Sequence, residues 1–242
     1  MHSLSDDIFS TLLESILSDQ IAAGERLPSE RELAKRFSTN RNTLREALQR
    51  LEHLALIGIR HGQGITVQDY RKTARFDCIA PFLVHAQRPE ERFRMIEDLL
   101  RVRSRILEMC VELAASRASE EDIQRIAELI DAQLVHHQDN DRDALMRTEI
   151  AMIDAIVDAS HSLMARWLAN TLLDVYNDFS PHTAEMWVAD ESFPSYLASL
   201  RKAIAEHDAG TAASITRSYY QSIDATIIRV LEELLHSATL EA

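Results

Sequence analysis

The side chains whose chemistry is easiest to name lie in Asn40-Arg41-Asn42-Thr43-Leu44-Arg45. A guanidinium carries a planar fork of donors that fits the O6 and N7 edge of guanine. An asparagine amide fits the N6 and N7 edge of adenine, and a threonine hydroxyl can bond to either base type. Arg41, Asn42, Thr43 and Arg45 together suit the reading of double-stranded DNA, provided a helix N-terminus carries them into the major groove. Charge points the same way. Residues 31–62 hold seven Arg or Lys against three acidic residues, whereas the chain of 242 residues has a formal net charge of −13. A basic stripe in an acidic protein is the footprint that phosphate contact requires. The plain alternative is a small helical domain with a solvated basic face.

Arg103 carries a second chemical demand wherever a helical bundle buries it. A buried guanidinium needs an anionic or carbonyl partner. An ion pair with Glu108 or Glu149 would satisfy it, and so would the acid group of a ligand. Metal chemistry is poorly served. Asp158-x-x-His161 and Glu233-x-x-His236 have ligand-like spacing, but each sits at a helix end without a second carboxylate, and His136-His137 fall in a polar connector. A bundle carboxylate enzyme needs two Glu-x-x-His pairs and two further carboxylates on facing helices. No such set is present, so neither a metal, a cofactor nor an enzymatic activity is expected. Cys78 and Cys110 form no CxxC and read as free core thiols of a reducing compartment. Asp6 and Asp7 argue against a signal peptide, and no apolar run is long enough for a membrane span. The expected location is the cytoplasm, away from membranes.

The elements that must position these groups follow from periodicity. Residues 5–20 predict a helix with Ile8, Leu12, Leu13 and Ile16 on one face. A short helix follows Pro28, with Ser29 and Glu32 as a capping box. Ser38-Thr39-Asn40 breaks the chain before a helix that buries Leu44, Leu48 and Leu51. Ile57, Ile59, Ile65 and Val67 then alternate around His61-Gly62-Gln63-Gly64, the pattern of a hairpin. Helix-turn-helix plus hairpin makes a winged helix. From residue 90 onward helices are expected at roughly 90–117, 119–138, 141–159, 161–179, 191–207 and 209–237. Four of the five glycines precede residue 65, as a long-helix C-terminal region requires. The fold class is therefore mainly α: a winged helix-turn-helix over 1–70, a linker with a short helix over 71–90, and an antiparallel bundle of six or seven helices over 91–242. The bundle region is acidic, with 18 basic against 29 acidic residues from 71 onward, so it is the sensing or oligomerising part.

The run LPSERELAKRF, NRNTLREALQRLEHLALI and HGQGITV resembles the N-terminal domain of the GntR family of bacterial transcription regulators. The resemblance implies operator contact by Arg31, by Arg41, Thr43 and Arg45 of the recognition helix, and by His61 and Gly62 at the wing tip. Farther on, MIEDLLRVRSRILEMCVELAASRAS is similar to the opening helix of FadR-like effector-binding domains, with Arg103, Glu108, Ala114 and Ala115 as matching residues. Most such domains hold a divalent metal through an Asp and three His. The corresponding positions here are Glu149, Ile153, Leu197 and Tyr219, so the ligand set is missing. That loss is shared with the acyl-CoA-responsive branch, where an Arg matching Arg103 and a Ser matching Ser222 lie at the effector site. The implied effector site is Arg103, Glu149, Tyr176, Tyr219 and Ser222, holding a small acid, a fatty acid or an acyl-CoA. Tyr219 or Ile223 stands where that branch has a small residue, which would narrow a long-chain channel. The rival within the family is a small carboxylate or sugar acid bound through a metal. A homodimer on a pseudo-palindromic operator completes the expectation.

Overall fold

The computed structural model describes residues 3–60, 62, 64–183 and 191–240, with side chains described up to residue 173 and from 191 to 233. The chain forms two units, Met1–Met95 and Ile96–Ala242.

The N-terminal unit begins with α1 (Leu4–Leu17), whose Ser3 and Asp6 form a capping box. Helix α2 (Glu30–Arg36) is capped in the same way by Ser29 and Glu32. It ends at Phe37, and Ser38 takes a positive φ of 50° that turns the chain. Asn40 then caps α3 (Arg41–His53), its Oδ1 accepting from the Asn42 and Thr43 amides at 2.9 and 3.0 Å. Leu44, Ala47, Leu48 and Leu51 face inward from α3. They meet Ile8, Leu12, Leu13 and Ile16 of α1 and Leu33 of α2 in one core.

A three-stranded antiparallel sheet closes this core, in the order β1 (Arg26–Leu27), β3 (Gly64–Val67), β2 (Ile57–Arg60). The hairpin register pairs Ile57 with Val67 and Ile59 with Ile65, and Leu56, Ile57, Ile65 and Val67 are buried. Strand β1 is an addition to the expected two-stranded wing, pairing Arg26 with Thr66 and Leu27 with Ile65. Two residues cannot show an alternating pattern, so only the distant partner reveals it.

Residues expected as a linker pack into this same unit. They form α4 (Tyr70–Thr73), a 3-10 turn at Phe76–Cys78 and α5 (Ile79–His85), and Cys78, Phe82 and Ala86 join the core. Arg71 donates two hydrogen bonds to Asp19, at 3.2 and 3.0 Å, and Gln87 reaches Glu14 at 2.6 Å.

The C-terminal unit is built from α6 (Pro89–Arg117, which begins in the first unit), α7 (Glu120–Gln138), α8 (Arg142–Ala159), α9 (Leu163–Thr183), α10 (Phe193–Ala205) and α11 (Ala209–Leu240). Among the described residues six helices form the bundle, as expected. Short connections at 139–141 and 160–162 and positive φ at Asn140, His161 and His207 reverse the chain between helices. The core is Leu107, Cys110 and Val111 of α6, Ile126 and Ile130 of α7, Met152 and Ile156 of α8, and Phe193, Leu197, Leu200 and Ile204 of α10. Ala114, Ala115, Ala159, Ala169, Ala203 and Ala212 are buried beside them, small residues that let helices approach closely. Cys110 here and Cys78 in the first unit are free and buried, and burial pushes both thiols up to about 11. Among the described residues no helix is long and apolar enough to cross a membrane.

Candidate functional site

On the first unit the buried stripe of α3 determines which side chains remain outside. Arg41, Asn42 and Arg45 are exposed and Thr43 is half-buried, all within the first five residues of the helix. Arg31 is exposed in the first turn of α2. Arg45 is not idle: its Nε donates to Glu30 Oε2 of α2 at 2.9 Å, while its side chain remains 60% exposed. Gly62 has a φ of +76°, a left-handed conformation that a Cβ would strain, and is exposed at the turn between β2 and β3. His61, the other expected wing-tip contact, lies outside the described residues. Glu30 was not anticipated, because its fifteen-residue separation from Arg45 crosses the turn.

On the second unit the structure brings Arg103, Glu149 and Tyr219 into one group and adds residues that were not expected there. Arg103 pairs neither with Glu108 nor with Glu149 but with Asp224 of α11. Glu108 is instead engaged by Arg105 and Arg217. Ser104 Oγ donates to the other Asp224 oxygen at 2.6 Å. The Arg103 guanidinium lies 5.1 Å from the Tyr220 ring centre, and its Nε is buried with no acceptor in hydrogen-bond range. Tyr220 in turn donates to Glu149 at 3.4 Å, a long bond between two buried groups. Burial raises the Asp224 carboxyl, against the pull of Arg103 and Ser104 in the other direction. It raises the Tyr220 and Tyr196 phenols as well.

Aromatic rings line the rest. Tyr219 stacks on Tyr196 at 3.9 Å with the planes 4° apart, and Tyr220 meets both edge-on. Phe193 touches Tyr219 on one side and His137 on the other, so His137 is half-buried against a ring and not simply solvated. One polar atom of a fully buried residue in this unit, Gln133 Oε1, finds no partner among the described residues. Ser222 is exposed and stands apart from this group. The reason is helical phase: Tyr220 and Asp224 are four residues apart on one face, and 222 points away from it. The Tyr176 side chain lies outside those described.

The positions aligned with a metal set do not form one. Ile153 and Leu197 are hydrocarbon, Leu197 is fully buried in the core, and the Tyr219 ring is committed to its stack on Tyr196. Glu149 alone could ligate, which is too few donors for a divalent ion in a bundle. Among the described residues no three His, Cys, Asp or Glu form a group that could hold a metal ion.

One unit thus carries an exposed basic helix and the other a helical bundle with a polar interior. The sequence profile of "Bacterial regulatory proteins, gntR family" matches residues 4–67, and that of the "FCD domain" matches residues 98–222. The chain belongs to the FCD-containing gntR family of bacterial transcriptional regulators, DNA-binding proteins and not a family of enzymes. The HTH-type transcriptional regulator Mce2R of Mycobacterium tuberculosis is 27% identical over 231 residues, covering 95% of this chain and 93% of its own. The galactonate operon transcriptional repressor of Escherichia coli is 24% identical over 188 residues, 78% of this chain and 79% of its own. A fatty acid metabolism regulator protein of Enterobacter is 33% identical over 105 residues, 43% of this chain and 42% of its own. The crystal structure of a GntR-family regulator from Pseudomonas syringae shares the fold, with a TM-score of 0.51, 15% identity, and coverage of 97% of this chain and 89% of that one.

Proposed function

We propose that this regulator binds a pseudo-palindromic operator as a homodimer and that its effector is a small organic acid or acyl derivative seated at Arg103. Arg31, Arg41, Asn42, Thr43, Arg45, His61 and Gly62 supply the DNA contacts in this reading. The effector side rests on one observation: a guanidinium held inside the bundle, beside aromatic rings. Within that class we favour a fatty acid or acyl-CoA over a metal-held sugar acid. The similarity to a fatty acid metabolism regulator supports it over fewer than half of the residues, and hydrocarbon side chains at Ile153 and Leu197 support it independently. The Tyr196–Tyr219 stack favours a short or medium acyl chain over a long one. The rival draws on the galactonate repressor, whose similarity is lower but spans more of the chain.

Thermal unfolding of the full chain separates the two. Octanoate, octanoyl-CoA, D-galactonate, and zinc with a chelator control are added in turn. A ligand at about a hundred times its dissociation constant stabilises the fold by about 2.7 kcal/mol, a readily visible shift. The expected result is a shift with octanoate or octanoyl-CoA that Arg103→Ala abolishes while operator binding survives. A shift only with D-galactonate plus zinc overturns the acyl reading.

A further inference from the structure

We propose that Asp224 is a built-in competitor for the effector: it occupies Arg103 in the free protein, and an acidic effector binds by displacing it. The proposal rests on the reading of Arg103 as the effector's anchor. Asp224 comes from α11, 121 residues beyond Arg103 in the chain, and presents to it what an acidic ligand would present, a carboxylate. The match extends to the neighbouring hydroxyl, since Ser104 Oγ holds the second oxygen at 2.6 Å. The pairing also leaves capacity unspent. Arg103 Nε is buried and has no acceptor, so the guanidinium does not use all the donors that a well-placed carboxylate could take.

Charge then decides between addition and displacement. Among the described residues, the charged and titratable side chains around the pair are Arg103 on α6, Tyr220 and Tyr219 on the helix of Asp224, Glu149 of α8 behind the Tyr220 hydroxyl, and Tyr196 of α10 beyond it. The Arg103–Asp224 pair is therefore already neutral by itself. A further anion would leave one negative charge uncompensated in a poorly solvated place, a cost that a guanidinium already paired does not offset. An acid must take the place of Asp224. The displaced carboxylate is buried and has lost its cation, so it takes a proton from solvent, and no other bond is made or broken.

The sign follows by linkage. Free protein carries Asp224 ionised above its own pKa, and the complex carries it protonated, so binding takes up one proton in the window between the two values. Effector affinity then falls as pH rises through that window, by up to about tenfold per pH unit.

Calorimetric titration of the full chain with octanoate, octanoyl-CoA and D-galactonate, between about pH 6 and pH 8, tests this. Two buffers of different ionisation enthalpy report the proton directly. Expected is proton uptake in the wild type, and in Asp224→Asn an affinity about tenfold higher at the upper pH with neither slope nor uptake. Asp224→Ala serves if Asp224→Asn does not fold: it too should lose the slope and the proton uptake. Arg103-dependent binding that is equal in wild type and Asp224→Asn, with no proton taken up, overturns the competitor and leaves the Arg103 reading standing. Binding that survives Arg103→Ala, or no binding of any probe by Asp224→Asn, overturns both.

Discussion

Glu30 limits what Arg45 can do. The Arg45 fork is free to reach DNA only as far as Glu30 releases it or comes with it, and a carboxylate beside the phosphate backbone is repelled. Exposed pairs of this kind contribute about 0–1 kcal/mol to stability, so removing Glu30 should not unfold the head. Its effect should be on discrimination. Glu30→Gln is expected to raise affinity for non-operator DNA more than for operator, because phosphate attraction is shared by all sequences. Arg45→Ala should cost about 1–3 kcal/mol on the operator if Arg45 reads a base. Titrations of both variants against operator and scrambled duplex at two salt concentrations check this, and equal losses on the two duplexes would make Arg45 a phosphate contact.

At the level of elements, the head depends on its caps. Asn40 satisfies two amides at the start of α3, and it directly precedes Arg41. Asn40→Ala should cost about 1 kcal/mol of head stability in urea unfolding, and should weaken operator binding by fraying the turn that carries Arg41 and Asn42. Asp6 both caps α1 and ties it to Arg50 of α3, and hydrogen bonds from Ser3, then Arg50, lower its carboxyl to about 2. A depressed carboxyl stabilises the fold above its unfolded value and loses that contribution as pH falls through the folded one. Acid titration of unfolding should therefore show a loss between the ordinary 3.8 and about 2 that Asp6→Asn lacks.

Caps and periodicity are also why these elements were legible beforehand. Ser29 with Glu32, and Asn40 before Leu44, Leu48 and Leu51, announce helix starts and faces in the sequence itself. Strand β1 and the packing of Cys78, Phe82 and Ala86 were not legible, since two residues and one short interrupted apolar run acquire meaning only from distant partners. The interior group shows the same limit. Arg103 announces a need for an acid, but the sequence offers Glu108 and Glu149 for it, and only the packing of α6 on α11 selects Asp224. Its helical phase was a usable signal: Tyr220 and Asp224 share a face that Ser222 does not.

Across the whole molecule, each unit has its own core and its own buried sulfur. Cys78 lies in the first and Cys110 in the second, and both thiols are held at about 11 by burial. A thiolate is the reactive form, so at neutral pH both should ignore an aromatic disulfide reagent until the surrounding core opens. The two sulfurs are therefore separate clocks. With Cys78→Ala the labelling rate times the opening of the bundle, and with Cys110→Ala that of the head, provided neither variant lowers the melting temperature appreciably. Operator duplex should slow labelling at Cys78 and effector should slow it at Cys110. Crossed protection, in which duplex slows the bundle's clock, would measure the coupling between the two binding events without any readout of transcription.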